Sequence, residues 1–325
     1  MEYKENEMKF KKILSIGISE SQLDKWCWKK IDSLAEKRVS LSEDSKQIDK
    51  QLADADCLLV TFNKADKQMI DKAPNLKYIG ALATGVGKID TNYAASKSIV
   101  VTNIPGYSTE SVAEFVFAVL LERLRDISRA KIESKQKRTS ENNFSGREIK
   151  GKKFGVIGLG RIGTRVSHLA KCFGADVLYW SRNRKLQEEK DGIKYAKLSD
   201  LLRNCDIISL HLALNKGTEN ILNQANIKKI KNGAIFINTA PLELLDINTL
   251  ETRLKNKDIT FIFDHTDPGD ITDENLAMLR QHDNCITYPV LGYISDEARM
   301  AKQDIFTKNI ENFLKGAPIN LVIPT

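Results

Sequence analysis

Residues 154–163 read Phe154-Gly155-Val156-Ile157-Gly158-Leu159-Gly160-Arg161-Ile162-Gly163. An apolar run, Phe154 to Ile157, enters a turn of three glycines, and the chain leaves it in a helical stretch, Arg161 to Phe173. Strand, glycine turn and helix together hold a dinucleotide pyrophosphate. Gly158 permits the tight turn, Gly160 lets the backbone approach phosphate oxygens, and Gly163 lets the helix pack on the strand. The helix N-terminus, with Arg161 and Ile162, then offers N–H groups and a partial positive charge to the anion. A lone glycine pattern is a weak signal; this one has its strand and its helix. A plain strand–helix turn does not need three glycines at this spacing.

Working outward, short apolar runs alternate with helix-like stretches. Downstream, Asp176 to Trp180, Ile207 to Leu210, Ala234 to Asn238, Thr260 to Phe263 and Cys285 to Tyr288 read as strands. Upstream, Ile13 to Ile18, Cys57 to Val60, Tyr78 to Leu82 and Ile99 to Thr102 read the same way, and Ser21 to Glu36 has helical spacing. Short apolar strands followed by crossovers predict parallel sheets in an α/β fold. Ser108 and Thr109 cap a long helix whose apolar face is Val112, Phe115, Val116, Val119 and Leu120. A polar linker at about 134–150 precedes a second α/β unit, and Ser295 to Leu314 forms a last helix with room to pack back on the first unit.

A chain of 325 residues with 42% hydrophobic and 29% charged residues has the composition of a globular protein of two ordinary domains. Met1 to Lys12 is charged, with no apolar h-region after it, and no apolar run reaches membrane-spanning length. Five scattered cysteines without a CxxC pair point to reduced thiols in a cytoplasmic protein, not to disulfides or zinc. The net charge of +7 comes from lysines spread along the chain with acids interleaved, the pattern of solvated faces. No nucleic-acid module is present. Beside the dinucleotide that the glycine turn predicts, no nucleic-acid or membrane partner is expected.

Several segments together resemble the D-isomer-specific 2-hydroxyacid dehydrogenases. Thr84-Gly85-Val86-Gly87 before Asp90 looks like that family's substrate loop, whose backbone N–H groups hold a carboxylate. Val101-Thr102-Asn103-Ile104-Pro105-Gly106-Tyr107-Ser108, then Glu110 to Glu114, looks like its domain crossover. Phe144, Gly146, Glu148 and Gly151-Lys152 look like the entry to its nucleotide domain. Ile208 to Leu214, with His211, is similar to the strand and loop covering the cofactor, and Asn284 to Gly292 to the segment carrying the catalytic histidine. The resemblance implies two doubly wound parallel-sheet domains: a flavodoxin-like substrate domain, residues 1–107 plus 295–325, and a Rossmann dinucleotide-binding domain, 108–294. It implies an active site in the cleft between them and a homodimer built through the dinucleotide-binding domains.

In that family a ketone takes hydride from a nicotinamide while a histidine, oriented by a glutamate, donates a proton, and an arginine grips the carboxylate. Here Asn238-Thr239-Ala240-Pro241-Leu242 has Pro241 where the arginine follows Asn-x-Ala, and Leu242 where a glycine follows that. Tyr288-Pro289-Val290-Leu291-Gly292 has Val290 where the histidine follows the proline. Asp264-His265-Thr266-Asp267-Pro268-Gly269-Asp270 puts Gly269 at the glutamate's place, and a slip of one or two residues brings Asp267 or Asp270 there. Ordinary ketoacid reduction by the family mechanism is not expected. His265, Tyr288 and Asp267 are the thin candidates for replacement chemistry. The resemblance places His211, Thr239 and Ala240 beside the cofactor, and Asp264 matches an aspartate that contacts the nicotinamide amide.

After the second strand of the nucleotide unit comes Ser181-Arg182-Asn183-Arg184-Lys185. Ser181 replaces the acid that NAD binders place against the ribose hydroxyls, and cations follow. Serine plus cations suits a 2′-phosphate, so NADP(H) is favoured over NAD(H); a basic surface loop is the alternative. The function expected is an NAD(P)-dependent oxidoreductase with an apolar, remodelled site and a non-standard substrate, such as an imine. The alternative is an inactive NADP(H)-binding sensor or scaffold.

Overall fold

The strands are apolar along nearly their whole length because most of them are covered by helices on both sides. The computed structural model describes residues 8–61, 64–136, 140–266 and 274–323. The chain divides into two compact units, Met1–Tyr107 with Asp296–Thr325, and Ser108–Ser295.

In the first unit, β1 (Phe10–Ile16), β2 (Ala35–Leu41), β3 (Cys57–Val60), β4 (Tyr78–Ala81) and β5 (Val100–Thr102) form a sheet in the order β2-β1-β3-β4-β5, every pair parallel. Helices α1 (Lys25–Ser33), α2 (Ile48–Leu52), α3 (Lys67–Asp71) and α4 (Thr91–Ser96) make the crossovers. One expectation fails here, and one strand goes unread in the sequence. Ser21 to Glu36 is not one helix: a short 3-10 turn precedes α1, and the chain then enters β2 at Ala35. β2 is an edge strand, Ala-Glu-Lys-Arg-Val-Ser-Leu, whose exposed side chains hid its apolar alternation.

The second unit opens with α5 (Thr109–Arg125) and α6 (Ile127–Lys135). The long helix expected from the sequence is broken at Asp126, which takes a left-handed conformation with φ 55°. The unit's sheet contains β6 (Lys153–Ile157), β7 (Asp176–Trp180), β8 (Lys194–Tyr195), β9 (Ile207–Leu210), β10 (Ile235–Asn238), β11 (Thr260–Thr266) and β12 (Cys285–Pro289). Their order, β12-β11-β10-β9-β6-β7-β8, is again wholly parallel, with the reversal of direction at β6 next to β9. That reversal is where open α/β sheets bind ligands. Helix α7 (Arg161–Cys172) follows β6, α8 (Leu186–Lys190) follows β7, and α9 (Leu198–Asn204), α10 (Gln224–Ile227), α11 (Ile247–Lys255) and α12 (Glu274–Leu279) cover the opposite side. The last helix, α13 (Asp296–Leu314), packs with α1 and β4 in the first unit. Among the described residues no helix is long and apolar enough to cross a membrane, and all five cysteines are free thiols.

Candidate active site

The three glycines of the turn between β6 and α7 are required for different reasons. Gly158 has φ 97°, and a Cβ there would lie 2.7 Å from the carbonyl oxygen of His211. Gly163 packs so closely that its Cβ would sit 2.0 Å from the carbonyl oxygen of Gly158. These two glycines are demanded by the fold itself. Gly160, the N-cap of α7, has no atom within 4 Å of its Cβ position. Nothing inside the chain requires a glycine there, so its reason lies in what approaches from outside. The first-turn N–H groups of Arg161, Ile162 and Gly163, on a helix of 12 residues, face the same opening. The cradle therefore fits a dinucleotide pyrophosphate.

The loop after β7 is organised around Tyr179. Its hydroxyl donates to Glu189 at 2.7 Å and accepts from the N–H of Lys185 at 2.7 Å. Ser181 is buried, and its hydroxyl donates to the carbonyl of Asn183 at 2.5 Å. Arg184, one of the cations expected near a phosphate, is paired with Glu189 and lies 5.2 Å from the Tyr195 ring. Arg182 and Lys185 make no ion pair among the described residues; the Arg182 guanidinium lies against Gly217, with Nη2 3.0 Å from the Cβ position.

At the ends of β9 and β10, His211 and Thr239 meet. The imidazole contacts Ser209 Oγ at 2.7 Å through Nε2 and Thr239 Oγ1 at 3.3 Å through Nδ1. Burial holds its pKa down at about 3, so the ring is neutral at physiological pH. Ala240 is buried, and its N–H donates to Asn238 Oδ1 at 2.9 Å. Pro241 and Leu242 open a 3-10 turn and line a cavity of about 480 Å³ with Leu245, Phe263, Glu219 and Glu243.

β11 and β12 lose register between Phe263 and Thr266, so that β11 carries one extra residue opposite Tyr288. This bulge re-aims Asp264. Its buried carboxylate accepts the N–H of Leu291 at 2.9 Å and the N–H of Gly292 at 2.9 Å. Each of its two oxygens thus accepts one main-chain N–H of the next turn. Tyr288 is a poor acid. Its hydroxyl donates to Glu122 on α5, and burial together with Glu122 raises its pKa above the ordinary phenol value. His265 lies on β11 at the bulge, and Asp267 lies outside the described residues. Val290 is partly buried in the turn after β12.

In the first unit, Thr84, Gly85, Val86 and Gly87 form the loop after β4. Asn103 Nδ2 donates to the carbonyl of Thr84 at 2.6 Å, and the Cβ positions of Gly85 and Gly87 are open. Backbone N–H groups can be approached closely there. The contacts by which Ser111 and Glu122 hold Gly292 and Tyr288 carried no signal in the sequence. Their partners are 181 and 166 residues away, and both read as ordinary polar positions of an amphipathic helix.

The sequence profile described as "D-isomer specific 2-hydroxyacid dehydrogenase, NAD binding domain" matches residues 117–292. A hydroxypyruvate reductase of Blautia hydrogenotrophica is 31% identical over 306 residues, covering 91% of this chain and 94% of that protein. Among solved structures, an acyclic imino acid reductase in complex with NADPH and D-Arg is 29% identical with a TM-score of 0.83, covering 96% of this chain and 100% of that one. A D-lactate dehydrogenase from Aquifex aeolicus, complexed with NAD and lactic acid, is 26% identical with a TM-score of 0.84, covering 96% and 99%.

Proposed function

The chain belongs to the D-isomer-specific 2-hydroxyacid dehydrogenase family, and from that premise we propose that this NAD(P)-dependent oxidoreductase uses NADPH to reduce a carbon–nitrogen double bond. One observation carries the proposal: Pro241 and Val290 stand where the resemblance puts the carboxylate-gripping arginine and the proton-donating histidine. Three titratable side chains described at the carboxyl edge of the sheet are engaged in other ways. His211 is held neutral, Tyr288 is committed to Glu122, and Asp264 is committed to the turn. A ketone needs a proton on oxygen as hydride arrives. A protonated imine already carries its charge, so hydride addition leaves a neutral amine without a general acid. The likeness to an imino acid reductase holding NADPH supports the same reading.

NADPH, when bound, supplies the hydride. Gly158, Gly160 and Gly163, with the N–H groups of Arg161 and Ile162, hold its pyrophosphate. Arg182 takes the 2′-phosphate, for which the small Ser181 leaves room where an acid would repel it, and Arg184 serves instead to anchor the loop through Glu189. His211, Thr239 and Ala240 border the nicotinamide, and Asp264 shapes its seat through the turn it holds. The backbone of residues 84–87 receives the carboxylate of an imino acid. Pro241, Leu242 and Val290 exclude water around the acceptor carbon, which protects an imine from hydrolysis.

The proposal is tested by following NADPH oxidation against keto acids, aldehydes and imines. Oxidation by imines well above oxidation by the parent keto acids is expected. Tight NADPH binding with no oxidation by any acceptor overturns it in favour of a sensor or scaffold.

A further inference from the structure

The turn that follows β12 is held far more firmly than an exposed loop requires. Its two successive N–H groups, at Leu291 and Gly292, both donate to the carboxylate of Asp264, which is 4% exposed. From the other side, Ser111 Oγ, in the first turn of α5, donates to the carbonyl of Gly292 at 2.7 Å. Gly292 is obligatory for this arrangement: a Cβ there would lie 2.5 Å from Asp264 Oδ2 and 3.4 Å from the Phe115 ring. The bulge in β11 exists at the residue whose side chain makes the clamp. A buried carboxylate is costly unless fully bonded, and this one accepts two successive main-chain N–H groups. What the clamp presents is Leu291, a large apolar side chain left 40% exposed on a rigid backbone. Scattered apolar residues on a surface are ordinary. One fixed by three hydrogen bonds beside Val290, the residue at the lost histidine's place, is not.

We infer that Leu291 is a specificity-determining residue: the clamp holds it as a fixed apolar wall against the substituent on the acceptor carbon, with Asp264 and Gly292 as positioning residues. This rests on the imine reduction proposed above. Consecutive Cα atoms are about 3.8 Å apart, so a turn that sets Val290 against the acceptor also sets Leu291 within reach of its substituent. The class of acceptor selected is an imino acid with a branched apolar side chain rather than a methyl group.

Calorimetric titration of N-methyl-D-alanine and N-methyl-D-leucine into the NADP⁺-loaded protein tests the wall without needing turnover. The unmodified protein should bind the leucine derivative about tenfold more tightly, the usual worth of filling an apolar pocket. Leu291→Ala should remove most of that preference with NADP⁺ affinity unchanged. Asp264→Asn, which turns one acceptor into a donor facing an N–H, should blunt the preference as well. Ser111→Ala reads the same clamp from α5 should Asp264→Asn fail to fold. A preference ratio unmoved in Leu291→Ala, or melting temperature falling in the clamp variants while the ratio stays put, overturns the inference, as does absence of binding by either amine. Binding with the expected ratio but no NADPH oxidation by the corresponding imines overturns the reaction alone.

Discussion

Around Gly158–Gly163 the ligand would be met by main chain, whereas at the ends of β10, β11 and β12 any chemistry falls to side chains. The two regions share one sheet and are constrained to different degrees. At the glycine turn, two of three glycines are required by the protein's own packing, so the cradle cannot drift without unfolding β6 and α7. At the other edge the candidate chemistry is carried by side chains, which can be exchanged while the scaffold stays. The nucleotide half of the site is thus protected by folding, and the reactive half is open to change.

The sharpest way to break this comparison is Gly163→Ala. Its Cβ would collide with the Gly158 carbonyl at 2.0 Å, and a loss of about 3 kcal/mol or more is expected from overpacking of this kind, read as a lower melting temperature or insoluble protein. A fully stable variant contradicts the claim that folding guards the cradle. Gly160→Ala should do the reverse. Its Cβ meets nothing within 4 Å, so melting is unchanged, while NADPH affinity measured by fluorescence falls by roughly a hundredfold as phosphate approach is blocked.

Much of this contrast was legible in the sequence, and the reasons are physical. Glycine spacing and apolar runs mark a parallel sheet and its turn, because burial on both faces leaves only apolar residues. β2 escaped because it is a solvated edge strand, and the break at Asp126 because a left-handed aspartate looks like any other. At the candidate site, Pro241 and Val290 at the places that the resemblance gives to an arginine and a histidine were readable in the sequence. The contacts around them were not: the Asp264 clamp, the Tyr288–Glu122 pair and the withdrawal of Arg184 by Glu189 join distant or locally unremarkable residues.

Within the cofactor loop the same logic sorts the cations. Arg182→Ala should weaken NADPH by about tenfold with little effect on NADH, the difference reporting a charge-assisted phosphate contact. Arg184→Ala should change that ratio less than about twofold, because its guanidinium already serves Glu189. Equal losses in both variants would contradict the assignment.

His211 gives a smaller, pH-dependent effect. Its folded pKa of about 3 lies below the usual histidine value of 6.5, so the unfolded chain takes up the proton first as pH falls. Stability contributed by the neutral ring is complete above pH 6.5 and declines toward pH 3. Between pH 7 and pH 5 the loss should reach about 2 kcal/mol. His211→Gln should flatten that part of the denaturation profile, and a profile identical to that of the unmodified protein would contradict a buried neutral imidazole.

The central claim is that the hydride goes to a carbon bonded to nitrogen. The direct measurement is deuteride transfer: NADPH deuterated at C4 is incubated with the protein, pyruvate and methylamine, and the products are read by NMR. Deuterium on the α-carbon of N-methylalanine, with none in lactate, is the predicted result. Deuterated lactate, or no transfer to either product, would contradict the account.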